Sequence, residues 1–323
     1  RSPCGIGMSP QDELFITDNQ GDWVADCALY HVREGNFYGH PASLPARPDF
    51  SKEKVLSLSA KDFEKIRTPP AVWLIRETIA NSPGSPIWDT TEGKFGPFEG
   101  QMFIGDQRQS NYFRSGVEKV NGEYQGWCVD FLRGLDSGPV KMSFDGKGRL
   151  WSAQVGRGWF SKGGKRTAIQ YVEWDGKTTP FAIHSASLTK TGFEVKFTQR
   201  IGRKTTPKIT SWSYHYYSTY GSPPIDPKEL KIKNYQLSKD RKTVTFDVPL
   251  QPGKVYAIEF AEQKNTEAKL LDYSTIYYTL NSLRPAKEPR TGRNVGWSLA
   301  GSSWNRNDTL NSTCLFLFKQ FIR

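Results

Sequence analysis

Leu14-Phe15-Ile16-Thr17-Asp18-Asn19-Gln20-Gly21-Asp22-Trp23 is a short apolar, β-branched run that stops at Asp-Asn and a glycine turn, the pattern of a strand running out into a loop. Arg1-Ser2-Pro3-Cys4-Gly5-Ile6 precedes it, and the combination recurs. Pro139-Val140-Lys141-Met142-Ser143-Phe144 followed by Leu150-Trp151-Ser152-Ala153-Gln154 keeps the spacing: eleven positions separate Pro3 from Leu14 and Pro139 from Leu150. Met102-Phe103-Ile104-Gly105-Asp106 repeats the second half. Recurrence of this kind predicts units of about four short strands, as in propeller blades.

Working outward, the first unit covers about 1–45, with strands at Pro3–Met8, Leu14–Asp18 and Leu29–Arg33. An excursion at 51–67 holds a short helix that Ser59 can cap and Pro69-Pro70 stops. The second unit, 71–132, carries strand candidates at Ala71–Ile75, Met102–Asp106, Tyr112–Arg114 and Glu123–Phe131, with a long Gly/Pro-rich loop at 81–100. The third, 137–175, has Val140–Phe144, Leu150–Val155 and Ile169–Trp174. Beyond it, about seven strand candidates between Phe181 and Leu280 read as a β-sandwich of immunoglobulin or fibronectin type. The fold class expected is therefore all-β: about three propeller blades over 1–175, a sandwich over 176–283 and an irregular tail over 284–323. Three blades do not close a ring, so open sheet edges, further blades or self-association are expected.

Composition agrees with a turn-rich β protein: 37 % of residues are hydrophobic and 13 % aromatic, with 29 Gly and 20 Pro. No apolar run is long enough to span a bilayer as a helix. The net charge of +11 sits in the second half, because residues 1–175 hold 21 Lys+Arg against 22 Asp+Glu, leaving 23 against 11 for 176–323. A basic half suits an anionic surface or acidic polysaccharide, or is a solvated face whose lysines block edge pairing; nucleic acid is not expected as the partner. Cys4, Cys27, Cys128 and Cys314 have no zinc spacing and read as disulfide partners in an oxidising compartment or as buried thiols. A chain starting at Arg1, with no signal peptide, reads as a processed piece.

Strand-end positions of the repeats bring Arg1, Asp18–Asp22, Asp106–Arg108 and Gln154–Arg157 toward one face. Asp18, Asp22, Asp89 and Asp106 read either as oxygens for Ca²⁺ or a sugar, or as caps of the turns they begin. His40 before Pro41 reads as a turn residue. Alternation puts Trp212, Tyr214 and Tyr216 on one face, read as sandwich core, leaving His215 and Tyr217 outside. The basic glycine-rich loop 156–166 lacks the order of a phosphate loop, and no serine elbow, H-E-x-x-H or dinucleotide fingerprint occurs.

Several of these stretches resemble the glucose/sorbosone dehydrogenase family of soluble quinoproteins. They are Arg1–Ile6, Thr17–Trp23, Tyr38-Gly39-His40-Pro41, Ser85-Pro86-Ile87-Trp88-Asp89-Thr90-Thr91-Glu92-Gly93-Lys94-Phe95-Gly96-Pro97-Phe98, Gly105-Asp106-Gln107, Asn121–Gly126, Arg157-Gly158-Trp159 and Tyr277–Asn281, covering about 1–282. The resemblance implies a six-bladed propeller with an appended sandwich, oxidising a sugar hydroxyl with pyrroloquinoline quinone and Ca²⁺ and passing electrons to an external acceptor. It implies a bacterial periplasmic or secreted setting. It places quinone contacts at Arg1, Gln107, Arg108 and Arg157. It places Ca²⁺ at Gln20 and Gly21 with Asp18 and Asp22, and substrate at His40 and Asp106. A guanidinium would stabilise charge on a quinone carbonyl, and Ca²⁺ takes hard oxygens from a rigid turn. The general-base His of the family matches none of His31, His40, His184 or His215 and is expected upstream. The alternative reading is a non-catalytic propeller–sandwich module that binds polysaccharide or a protein partner.

Overall fold

The computed structural model describes residues 2–156, 158 and 160–285. Arg1, Arg157, Trp159 and the tail from 286 on, with Cys314, lie outside them.

The first sheet orders β1 (Pro3–Met8), β2 (Leu14–Asp18), β3 (Cys27–His31) and β4 (Val72–Leu74) side by side, each antiparallel to the next. The second unit supplies β5 (Ile87–Trp88), β6 (Met102–Asp106), β7 (Asn111–Val120) and β8 (Glu123–Arg133), and the third β9 (Pro139–Phe144), β10 (Leu150–Val155) and β11 (Thr167–Val172). Consecutive units touch through glycine. A Cβ on Gly5 would stand 2.2 Å from the Gly84 carbonyl oxygen, and one on Gly105 would stand 2.7 Å from the Pro139 ring. Only glycine permits such approach between neighbouring sheets.

The remainder is β12 (Ile183–Leu188), β13 (Gly192–Phe197), β14 (Lys208–Ser213), β15 (Ile225–Glu229), β16 (Lys233–Leu237), β17 (Thr243–Asp247), β18 (Lys254–Glu259) and β19 (Thr275–Leu280). One sandwich sheet orders β12-β13-β17-β16. The other, β15-β14-β18-β19, does not end at β19. Tyr277, Tyr278 and Thr279 pair with Cys128, Trp127 and Gly126, so β19 continues into β8-β7-β6-β5 as one eight-stranded sheet.

The boundary expected near 175 therefore crosses a shared sheet. The physical reason is the outer edge of β8: its amide and carbonyl groups need partners, and β19 supplies them, leaving that edge closed. The sandwich core accordingly includes Val120, Trp127 and Val129 of the second unit alongside Phe193, Val195, Phe246 and Ile258. The architecture is all-β, with three blade-like sheets that do not close into a barrel.

The excursion expected over 51–67 with one short helix is larger: a 3-10 turn at Pro41–Ala46 precedes two helices, α1 (Lys52–Ser57) and α2 (Ala60–Ile66). Ser59 caps α2 as expected, reciprocated by the Asp62 side chain on the Ser59 amide. Phe37, Leu44 and Phe63 bury against Tyr216. This corrects the reading of the aromatic run: Trp212 joins the core beneath the first sheet and Tyr216 the core under the helices, not the interior of the sandwich. Strand β14 stops at Ser213, and the residues after it turn toward the first unit.

Candidate functional site

The turn after β2 is the meeting place of the two halves. The Gly21 carbonyl accepts the amides of Val24 (3.1 Å) and Gly221 (3.0 Å), the Trp23 amide donates to the Tyr217 carbonyl (3.1 Å), and the Ser222 amide donates to the Ala25 carbonyl (2.8 Å). Gln20 Nε2 donates to the same Ala25 carbonyl at 3.0 Å, and Asp22 forms a β-bridge with Tyr220. Trp23 adopts φ +63°, uncommon for a bulky residue, and its ring lies 5.2 Å from Tyr216 and 5.4 Å from Phe63. These contacts hold a backbone conformation that Trp does not prefer.

The four residues expected to hold Ca²⁺ are engaged in two different sets of contacts. Asp18 Oδ1 accepts the Ser2 amide at 2.7 Å at the end of β2, whereas Gln20, Gly21 and Asp22 belong to the seam with 217–222. Ca²⁺ requires about six to eight converging oxygens, and the Gly21 carbonyl already accepts two amides. Among the described residues no group of three or more His, Cys, Asp or Glu could hold a metal ion. The residues present do not fit the ion the resemblance implies.

Asp106 occupies the position in β6 that Asp18 has in β2. It is fully buried, with Oδ2 accepting the amides of Asn81 (2.7 Å) and Ser82 (2.6 Å) and Oδ1 that of Gln109 (2.7 Å). Burial pushes its carboxyl above the ordinary range, while those amides oppose the shift. Cys4 lies near both carboxylates; although the residue as a whole is exposed, partial desolvation of its thiol is the main reason it is raised, with Asp18 and Asp106 adding to it. Asp18 and Asp106 thus share a neighbourhood across the sheets, as fasteners of loop amides rather than as a substrate-facing pair.

The described quinone candidates are similarly engaged. Gln107 is buried and donates from Nε2 to the Val155 carbonyl (3.0 Å); Arg108 Nη1 donates to the Phe160 carbonyl (2.9 Å). Arg1 and Arg157 fall outside the described residues. His40 caps the Pro41–Ala46 turn, its Nδ1 accepting the Ala42 amide at 3.3 Å. Gln107 and Arg108 are thus committed to main-chain carbonyls of the third unit and the loop after it. Cys27 and Cys128 are buried free thiols and Cys4 is an exposed one.

Three features were not singled out from the sequence. Asp26 is buried between the halves: its carboxylate accepts the amides of Cys27 (2.7 Å) and Arg76 (2.9 Å) and the Tyr214 hydroxyl (2.8 Å). Burial pushes it up to about 7. Arg114 is a fully buried guanidinium that donates to Gln101 Oε1 and the Ile183 carbonyl, both at 2.6 Å, and lies 4.0 Å over the Phe98 ring. Burial pulls its pKa down to about 9.

The third is a face of the third sheet. Registers Trp151↔Tyr171 and Ala153↔Ile169 put these residues on the side opposite the buried Leu150, Ser152 and Gln154. That side meets solvent: Ile169 is 71 % exposed. The Trp151 and Tyr171 rings are 4.6 Å apart, and the Arg149 guanidinium lies 5.2 Å and 5.0 Å from them. Asp145 Oδ2 accepts both Arg149 Nε (2.7 Å) and Trp151 Nε1 (2.9 Å), fixing the cluster. Against the penalty of partial burial, hydrogen bonds from Trp151 and Arg149 hold Asp145 down to about 2. The available signal was the alternation Arg149-Leu150-Trp151 with Ile169-Gln170-Tyr171.

No protein-family model and no curated protein matches the sequence. Among solved structures, a Thermus thermophilus protein whose assignment as an oxidoreductase (glucose dehydrogenase) is itself provisional aligns at 15% identity with a TM-score of 0.35. The alignment covers 53% of this chain and 44% of that one, so this chain spans under half of its length. A likeness so slight transfers neither fold nor activity. No helix among the described residues is long and apolar enough to cross a membrane.

Proposed function

We propose that this chain is a polysaccharide-binding β module, with the outward face of the third sheet as its platform. The observation that carries the reading is the Trp151–Tyr171 ring pair, held by Asp145 and framed by Arg149 on a solvent-facing sheet surface. Sugar rings present C–H faces that stack on aromatic faces, and a fixed guanidinium supplies donors for their hydroxyls. An open, solvent-facing sheet surface suits an extended polymer better than a single small sugar. The setting proposed is periplasmic or secreted, where such polymers are met.

The test is affinity electrophoresis or titration with soluble neutral and acidic polysaccharides, comparing the parent chain with Trp151→Ala and Tyr171→Ala. Loss of about 1–3 kcal/mol per ring, roughly fivefold to a hundredfold in affinity, is expected by analogy with ring stacking elsewhere. Binding unchanged in both variants would sink the reading.

A second reading, a fragment of a quinoprotein sugar dehydrogenase using pyrroloquinoline quinone and Ca²⁺, is favoured by the run of motif resemblances over about 1–282. The engagement of Gly21, Asp106 and Gln107 in the fold weighs against it. Spectral titration of the same samples with the quinone and Ca²⁺, followed by dye reduction with aldoses, separates the two: a bound chromophore and turnover would restore the enzyme.

A further inference from the structure

At one end of the sandwich three connections converge: 198–207 between β13 and β14, 238–242 between β16 and β17, and 260–274 between β18 and β19. They are laced rather than loose. The Ile201 amide donates to the Arg241 carbonyl (2.9 Å), the Gly202 amide to the Lys264 carbonyl (2.8 Å) and the Thr266 amide to the Arg200 carbonyl (3.1 Å). Two buried amide side chains complete the lacing. Gln263 Nε2 donates to the carbonyls of Arg203 (2.9 Å) and Lys264 (2.8 Å), while its Oε1 accepts the Thr205 hydroxyl (2.6 Å). Asn265 Nδ2 donates to Gln199 Oε1 at 2.6 Å.

Between the first and third of these connections lies a groove of about 720 Å³ lined by Arg203, Lys204, Thr205, Glu262, Lys264 and Leu270, among others. Three bases stand against a single acid. Lys204 is held over the Tyr235 ring (4.1 Å) with its Nζ donating to the Tyr235 carbonyl (2.9 Å). No hydrogen bond or ion pair with another described residue takes up the charged ends of Arg203 and Lys264. Leu270, 54 % exposed, adds an apolar wall. Like-charged groups repel, so gathering three exposed cationic side chains around one concavity leaves an unfavourable potential that a bound anion would relieve.

We infer that this groove is an anion site that takes a carboxylate-bearing glycan, so that the polysaccharide recognised by this chain is acidic. The inference rests on the polysaccharide reading for the polymer class and on the groove for the charge. Rigid backbone beneath free cationic ends lowers the ordering cost of binding. The mixed lining, with hydroxyl and apolar groups beside the bases, suits a uronate ring better than a bare phosphate backbone.

The experiment titrates the full chain with polygalacturonate, with neutral dextran and with a single-stranded DNA oligonucleotide, at low and moderate salt. The panel comprises the parent, the double variant Arg203→Glu/Lys264→Glu, Trp151→Ala and the charge control Lys61→Glu on α2. The expected result is that polygalacturonate binds at least tenfold tighter than dextran and weakens with salt. The double variant should lose at least tenfold, and Lys61→Glu should stay within twofold. The inference is overturned if the double variant binds polygalacturonate like the parent, or if the oligonucleotide binds as tightly. If dextran binds as well as polygalacturonate and Trp151→Ala abolishes both, the groove assignment fails while the platform stands; if no glycan binds, both fail.

Discussion

The carbonyl of Gly21 accepts the amide of Gly221 at 3.0 Å, joining the turn after the second strand to the segment after β14. Gly221 is at φ +66°, and a Cβ there would stand 2.4 Å from the Gln20 side chain. Gly221→Ala should therefore destabilise the chain by about 1–3 kcal/mol through backbone strain, with displacement of Gln20 in addition. Denaturant unfolding measures it, and a change below a few tenths would mean the seam is not rigid. Because the Gly21 carbonyl is already committed, millimolar Ca²⁺ should leave the melting temperature unchanged; a saturable rise would reinstate the metal loop.

Asp26 predicts a pH dependence with a definite sign. Its carboxyl is raised from 3.8 to about 7 by burial. Between those values the folded chain holds a proton that the unfolded chain has released. Its contribution is therefore fully present below about pH 4 and is lost as pH rises through about 7. Asp272, raised by burial to about 6, adds the same sign. Unfolding free energy measured from pH 4 to 8 should fall with rising pH, and Asp26→Asn should flatten most of that slope. An equal slope in the variant would locate the effect elsewhere.

Arg114 holds β7 to β12 through the Ile183 and His184 carbonyls, with no carboxylate partner among the described residues. Arg114→Ala removes a large buried side chain and leaves those carbonyls and Gln101 unsatisfied, a cost of about 3 kcal/mol or more. Arg114→Met, which retains most of the volume over Phe98, should cost less than half of that. Chemical denaturation of the three proteins checks the order, and equal losses would place the cost in the hydrogen bonds alone.

Local pattern accounts for much of the fold. Pro3–Met8, Leu14–Asp18, Met102–Asp106 and Leu150–Val155 occupy the spans read from alternation and turn residues. The edge strand Ile225–Glu229 carries no such signal, because Ile-Asp-Pro-Lys-Glu is nearly all exposed and has no period. The β8–β19 pairing joins residues far apart in sequence, a register that no local pattern encodes. The site misled for a related reason. An aspartate at a strand end looks the same whether it meets a ligand or an amide, and the amides of Asn81 and Ser82 that occupy Asp106 come from another loop. Trp151 and Tyr171 became a pair only when β10 and β11 were set in register.

The platform variants should separate binding from folding. Trp151 and Tyr171 lie on the solvent side of an edge sheet, so Trp151→Ala should lower stability by less than about 1 kcal/mol apart from the loss of its bond to Asp145. Thermal unfolding checks this, and a collapse of the third sheet would make Trp151 a structural residue.

Polysaccharide binding through the Trp151–Tyr171 face is tested most directly by a binding isotherm, from calorimetric titration with a soluble polysaccharide, for the parent and for folded Trp151→Ala. Saturable binding that weakens roughly tenfold or more in the variant is expected; superimposable isotherms, or no binding by the parent, would contradict it.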